Sequence, residues 1–124
     1  MRVLFVFFVL PLIVYSQNQL PYKAGEYSAF NISFRGIKVG SAELEVLSKK
    51  KIDNTATFHI TGRGKTSRFF DVFFKVRDVY ETYLDTLNIR PVKFFRDIYE
   101  GGYEKKQQYS FKHSERLVFC KDTS

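Results

Sequence analysis

Phe30-Asn31-Ile32-Ser33-Phe34-Arg35-Gly36-Ile37-Lys38-Val39-Gly40-Ser41-Ala42-Glu43-Leu44-Glu45-Val46 decides the fold, because its apolar residues recur at every second position. Phe30, Ile32 and Phe34 alternate with Asn31, Ser33 and Arg35, and Ala42, Leu44 and Val46 alternate with Glu43 and Glu45. A period of two places one set of side chains on each side of an extended strand, so both runs read as half-buried antiparallel strands. Gly36 and Gly40 frame a tight connection between them. The same alternation continues at Ala56, Phe58 and Ile60 against Thr57, His59 and Thr61, with turns expected at Lys51-Ile52-Asp53-Asn54 and at Gly62-Arg63-Gly64.

The period then changes. Phe69, Phe70, Phe73 and Phe74 are spaced by one, three and four, which gathers the rings on one side of a short helix over residues 67 to 73, with Thr66 or Ser67 able to cap its start. A fully buried strand is the alternative reading of the same run. Strand character resumes at Lys75 and runs to about Leu87, with Val76, Asp78, Tyr80, Thr82 and Leu84 on one face. After a turn at residues 85 to 91, Val92 to Glu100 forms the next strand with Phe94 and Ile98 inward, and Gly101-Gly102 is the sharpest hairpin signal. Tyr103 to Lys112 runs back, and His113-Ser114 turns it into Arg116 to Lys121. The expected fold is mainly β: a curved antiparallel meander or partial barrel of about seven strands, with one short Phe-rich helix plugging its concave face.

The start of the chain carries an address. Met1-Arg2 precedes an apolar run from Val3 to Val14 that is short for a bilayer span, and Val14-Tyr15-Ser16 offers the small-residue pattern of a signal peptidase site. Residues 1 to 16 therefore read as a signal peptide cleaved between Ser16 and Gln17, with an uncleaved anchor or buried helix as the alternative. Residues 17 to 124 are long enough for a single domain. With Arg2 removed, 19 basic residues face 13 acidic ones, a net charge of +6. That charge either solubilises or draws the protein to an anionic surface such as phospholipid headgroups, lipopolysaccharide or polysaccharide. The cations are spread along the chain and alternate with acids. Cys120 is the one cysteine, so no internal disulfide can form, and Gln17 occupies the position where a lipoprotein would carry its acylated cysteine. Ser16-Gln17 resembles signal peptides of Bacteroidota and points to a periplasmic or secreted protein of a Gram-negative cell. Nucleic acid is not an expected partner, nor is a membrane span after cleavage.

Candidate chemistry is sparse. His59 and His113 lack Cys, Asp or Glu at ligand spacing and read as surface residues, not metal ligands, and Cys120 reads as a half-buried thiol. Gly62-Arg63-Gly64-Lys65-Thr66 lacks the earlier glycine of a phosphate-binding loop, since position 59 is His59. No catalytic residue, metal site or cofactor is expected. Arg77, Asp78 and Glu81 can form cross-strand ion pairs with Arg96 and Asp97, which makes a register-fixing charge ladder more natural than an acid/base site. Aromatic residues are in excess: of 14 Phe and 8 Tyr, only Phe5, Phe7, Phe8 and Tyr15 lie in the leader. They either fill a small core or line an apolar groove, for which Phe69, Phe73, Phe94 and Ile98 are the candidate lining.

Gly25-Glu26-Tyr27, Phe34-Arg35-Gly36-Ile37-Lys38-Val39-Gly40-Ser41-Ala42, Phe73-Phe74-Lys75-Val76-Arg77-Asp78-Val79-Tyr80-Glu81 and Pro91 together resemble the domain-of-unknown-function family 3108 of exported bacterial proteins. The match covers most of residues 24 to 112. It implies a location and a β-rich fold and carries over no catalytic residue. Members of the family are generally longer, and the chain stops within a few residues of an apolar strand, so a domain truncated at its C-terminus is expected. The expected function is that of a non-catalytic exported cell-envelope protein that binds lipid or another apolar ligand. A periplasmic structural or protein-interaction module with a filled core is the alternative, and a hydrolase using Asp78 and Glu81 the remotest reading.

Overall fold

Seven strands, β1 (Tyr27–Phe34), β2 (Ile37–Ile52), β3 (Thr55–Thr66), β4 (Val76–Asp85), β5 (Pro91–Glu100), β6 (Tyr103–Lys112) and β7 (Leu117–Asp122), form one antiparallel sheet in chain order, as the alternation predicts. The computed structural model describes residues 20–123; the expected leader and its Ser16–Gln17 cleavage point lie outside them. The sheet is open and curved, and register shifts mark where it bends: between Ile32 and Ser33, between Val46 and Ser48, and between Tyr83 and Leu84. One short helix, α1 (Arg68–Asp71), sits between β3 and β4.

The turns show which glycine signals were punctuation. Arg35-Gly36 (φ 49° and 81°), Asp53-Asn54 (44° and 66°) and Gly101-Gly102 (58° and 97°) are two-residue turns with both residues left-handed, the twist that matches paired strands. Gly40 and Gly62-Arg63-Gly64 are not turns. Gly40 lies inside β2, where a Cβ would come within 2.6 Å of the Lys65 carbonyl oxygen, so its role is close approach of backbones. Gly62 and Gly64 lie inside β3, opposite Tyr80 and Asp78.

Register assigns the faces. The rows Ala42–Gly64–Asp78–Ile98, Leu44–Gly62–Tyr80–Arg96–Gln107 and Val46–Ile60–Thr82–Phe94–Tyr109 share the apolar face. Ser41–Lys65–Arg77–Tyr99 and Glu45–Thr61–Glu81–Phe95 share the polar one. The core is small: Val46, Phe58 and Ile60 are buried on the apolar face with Leu84 and Tyr22 packed against them. The segment before β1 supplies that cover, with the Tyr22 ring edge-on to Phe58 at 6.0 Å and the Gly25 N–H donating to the Val46 carbonyl at 2.7 Å. The aromatic excess is explained by rings on both faces of the middle strands. Phe94 sits between Tyr80 and Tyr109 on one side, and on the other Tyr83 stacks on His59 and meets Phe95 edge-to-face.

Two readings of single residues and one of a charge cluster are corrected. His59 is not on the surface: it is 7% exposed, stacked on Tyr83 at 4.5 Å, with Nε2 2.8 Å from Glu81 Oε2. Cys120 is exposed and not half-buried, because β7 is exposed along its whole length. The expected charge ladder does not form, although β4 and β5 are neighbours. Arg77 stands opposite Tyr99 and pairs with Asp71, Glu81 opposite Phe95 and pairs with His59, and Asp97 pairs with Lys106.

Candidate functional site

The helix is where sequence and tertiary structure meet most closely. Ser67 occupies the cap position of α1 in an extended conformation but its hydroxyl donates to the Lys38 carbonyl at 3.4 Å and not to the helix. What holds α1 is Asp71. Its carboxylate accepts from Thr66 Oγ1 at 2.5 Å and from Arg77 through both Nη atoms, at 2.9 and 2.5 Å, while Thr66 Oγ1 also accepts the Val76 N–H. Hydrogen bonds from Arg77 first and Thr66 second hold the Asp71 carboxyl at about 2, well below its ordinary value. The fork of β4 thus ties both ends of the helical excursion to the sheet.

So tied, α1 roofs a pocket and does not plug the sheet. Phe69 and Phe73 are 69% and 73% exposed. Beneath them a pocket of about 360 Å³ is lined by Ile32, Val39, Phe70, Phe73, Phe74 and Val76, with Gly64, Lys65, Thr66 and Asp78 on the sheet. Gly64 also borders a second hollow of about 330 Å³ on the apolar face, walled by Phe30, Ala42, Leu44 and Tyr80. Both hollows border Gly64, and together they make up the groove across β1 to β4, where Gly62 and Gly64 carry no side chains; a Cβ at Gly64 would meet nothing within 4 Å. Small residues in a strand interior commonly mark such an approach. The volumes match the roughly 300–1,000 Å³ of small-molecule sites. The buried acid of the groove, Asp78, is 8% exposed and is satisfied by the Tyr99 N–H at 3.2 Å and the Tyr80 hydroxyl at 3.4 Å. Burial first, and the Asp78 charge second, push the Tyr80 hydroxyl pKa up, so it stays a neutral donor.

The four residues expected to line a groove are not brought together. Phe73 lines it; Phe69 packs on Phe70 and Phe73 from outside, at 5.2 and 5.7 Å between ring centroids. Phe94 is held in the Tyr80–Tyr109 stack, and Ile98 is buried opposite Asp78. The lining that was missed, Ile32, Val39, Phe70, Phe74 and Val76, lay in plain view as alternating or helix-spaced apolar residues; Gly62 and Gly64 were the remaining clue. Asp78 and Glu81 project from opposite faces of β4 and do not converge. Among the described residues no group of three or more His, Cys, Asp or Glu stands ready to hold a metal ion, and no helix is long and apolar enough to cross a membrane.

The arrangement has a family. Residues 29–123 match the family described as Protein of unknown function (DUF3108). The chain belongs to it. The DUF3108 match spans all of β2 to β7 and most of β1, and so includes every strand that contributes to the groove. No curated protein and no solved structure matches the chain.

Proposed function

We propose that this DUF3108 protein is a non-catalytic, exported cell-envelope protein that binds an apolar ligand, such as a lipid acyl chain, in the groove between α1 and the apolar face of β1 to β4. The observation that carries the reading is the groove itself: two mainly apolar hollows that both border Gly64, with exposed aromatic walls and a buried Asp78 that is hydrogen-bonded. Burying a large apolar side chain or its equivalent is worth on the order of 1.5–3 kcal/mol, so several rings can hold an alkyl chain with no polar chemistry. Export is supported by the charge, apolar length and small-residue pattern of residues 1 to 16.

Titration with a fluorescent fatty acid tests it. Wild-type protein takes up the probe saturably; Gly64→Val, which fills the groove floor where a Cβ has open space, and Phe73→Asp, which charges the roof, both lose uptake while the circular dichroism of the sheet is retained. If wild-type protein takes up no probe, the reading fails and the interaction-module reading stands, favoured by the exposure of every residue of β1 and β7 at the two edges of the sheet.

A further inference from the structure

On the polar face, behind the groove, the register builds a row of Ser41, Lys65 and Arg77 across β2, β3 and β4. Two cations set directly opposite each other in neighbouring strands repel. Arg77 is neutralised by Asp71, whose oxygens are already committed to Arg77 and Thr66. Lys65 has no such partner. The start of α1 brings Arg68 and Ser67 to the same place, and the beginning of β2 brings Lys38, so that a pocket of about 290 Å³ is lined by Lys38, Lys65, Arg68 and Arg77 with the hydroxyls of Ser41, Thr66 and Ser67. Among the described residues the ion pairs are Arg77–Asp71, Lys106–Asp97 and Lys112–Glu115, with Glu81 hydrogen-bonded to His59; Lys38, Lys65 and Arg68 enter none of them. The nearest acid in the register, Glu43, is one row further along and stands opposite Arg63.

We propose that this pocket binds a phosphate group. Its three unpaired cations supply the charge and the N–H donors that a phosphate's oxygens accept, with the Ser41 hydroxyl beside them, while the Thr66 and Ser67 hydroxyls already donate to Asp71 and to the Lys38 carbonyl and Arg77 is held by Asp71; an anion there offsets the uncompensated charge of Lys38, Lys65 and Arg68. The site backs onto the apolar groove, with Lys65 and Thr66 of β3 bordering both, and its Ser41–Lys65–Arg77 row lies on the opposite face of the sheet. Cations distributed evenly in sequence are gathered by β-register and by the helical excursion into one hollow. The phosphate belongs either to a soluble compound or to a lipid headgroup at a membrane surface, and the two sources share this chemistry.

Calorimetric titration of the full chain with inorganic phosphate decides the matter. Saturable binding is expected, weakened roughly tenfold or more in Lys38→Gln/Lys65→Gln/Arg68→Gln. Lys23→Gln/Lys51→Gln/Lys121→Gln removes the same charge from exposed positions elsewhere and is expected to bind as wild type does. All six side chains are exposed, and circular dichroism checks that each variant is folded. Co-sedimentation with phosphatidylcholine vesicles, with and without phosphatidic acid, separates the sources. Binding that needs phosphatidic acid, is lost in the first variant and is competed by inorganic phosphate assigns the headgroup. Phosphate binding without vesicle binding assigns a soluble ligand. Absence of saturable phosphate binding, or equal loss in both triple variants, overturns the proposal by reducing it to diffuse attraction to a basic protein.

Discussion

Asp71 shows how much one side chain can organise when its partners converge. Because its carboxyl is held at about 2 against an ordinary 3.8, the folded form binds fewer protons than the unfolded form in that interval. The stabilisation from its bonds to Arg77 and Thr66 is therefore complete above pH 3.8 and is lost as pH falls through about 2. Hydrogen exchange of the Phe70 and Phe73 amides, whose N–H groups bond to Ser67 and Phe70, should accelerate across that window. Asp71→Asn should exchange fast at every pH; a variant that kept the wild-type profile would show that the carboxylate does not hold the helix. His59 makes a second case at this scale. Alternation correctly put it on the polar face, but Tyr83 stacks on it, and Lys50, 5.9 Å from the Tyr83 ring, adds to the cover. Removing a buried hydrogen-bond partner costs about 1–3 kcal/mol, so His59→Ala should lower the denaturant midpoint clearly. Glu81→Gln, which keeps an acceptor in place, should lower it less; equal losses would mean that the stacked ring contributes nothing.

Elements differ in how legible they were, and the difference is physical. Alternation over Phe30 to Val46 and over Ala56 to Thr61 is a local signal, so the strands were readable, as were the turns at Asp53-Asn54 and Gly101-Gly102, whose left-handed backbones need those residue types. The same glycine signal misled at Gly62-Arg63-Gly64, because a glycine kept for space across a sheet looks identical to one kept for φ until its neighbours are known. The helix was readable from ring spacing, yet only Arg68–Asp71 is helical and its Phe69 ring is largely exposed, since what positions it is the Arg77–Asp71 pair, which ring spacing does not reveal. The groove was legible as an aromatic surplus but not in its lining, which is set by register. Gly101 gives the test of a turn at this scale. It is left-handed at 58°, and a Cβ there would collide with the Phe74 ring that packs over the hairpin. Gly101→Ala should therefore cost on the order of 1–3 kcal/mol and displace Phe74 from the groove wall, read as a lower melting temperature together with weaker probe uptake. Gly64→Val, with an ordinary backbone and free space, should leave stability unchanged or raise it by up to about 1 kcal/mol while closing the groove.

At the scale of the whole molecule, a large sheet rests on few buried apolar side chains among the described residues. Val46, Phe58, Ile60 and Ile98 are buried, while Phe30, Ile32, Leu44 and Phe74 on the groove side remain roughly half exposed. Domains of this size are stable by about 5–15 kcal/mol, and losing a buried phenylalanine costs about 3–5. Phe58→Ala, removing the ring on which Tyr22 closes, should therefore bring the protein close to its unfolding threshold, whereas Phe69→Ala, on an exposed ring, should stay within about 0.5 kcal/mol of wild type. The same imbalance makes the molecule responsive to whatever fills its groove. An apolar ligand seated over Gly64 covers surface that the chain leaves in water, and a ligand at one hundred times its dissociation constant adds about 2.7 kcal/mol to stability. Its effect on melting temperature should thus exceed that of most single substitutions, and it should partly rescue Phe58→Ala, whose lesion lies outside the groove, while failing to shift Gly64→Val. If a long-chain fatty acid shifts wild type and Gly64→Val equally, the ligand is covering some other apolar surface, and the groove is a gap in the packing of the sheet and not a binding site.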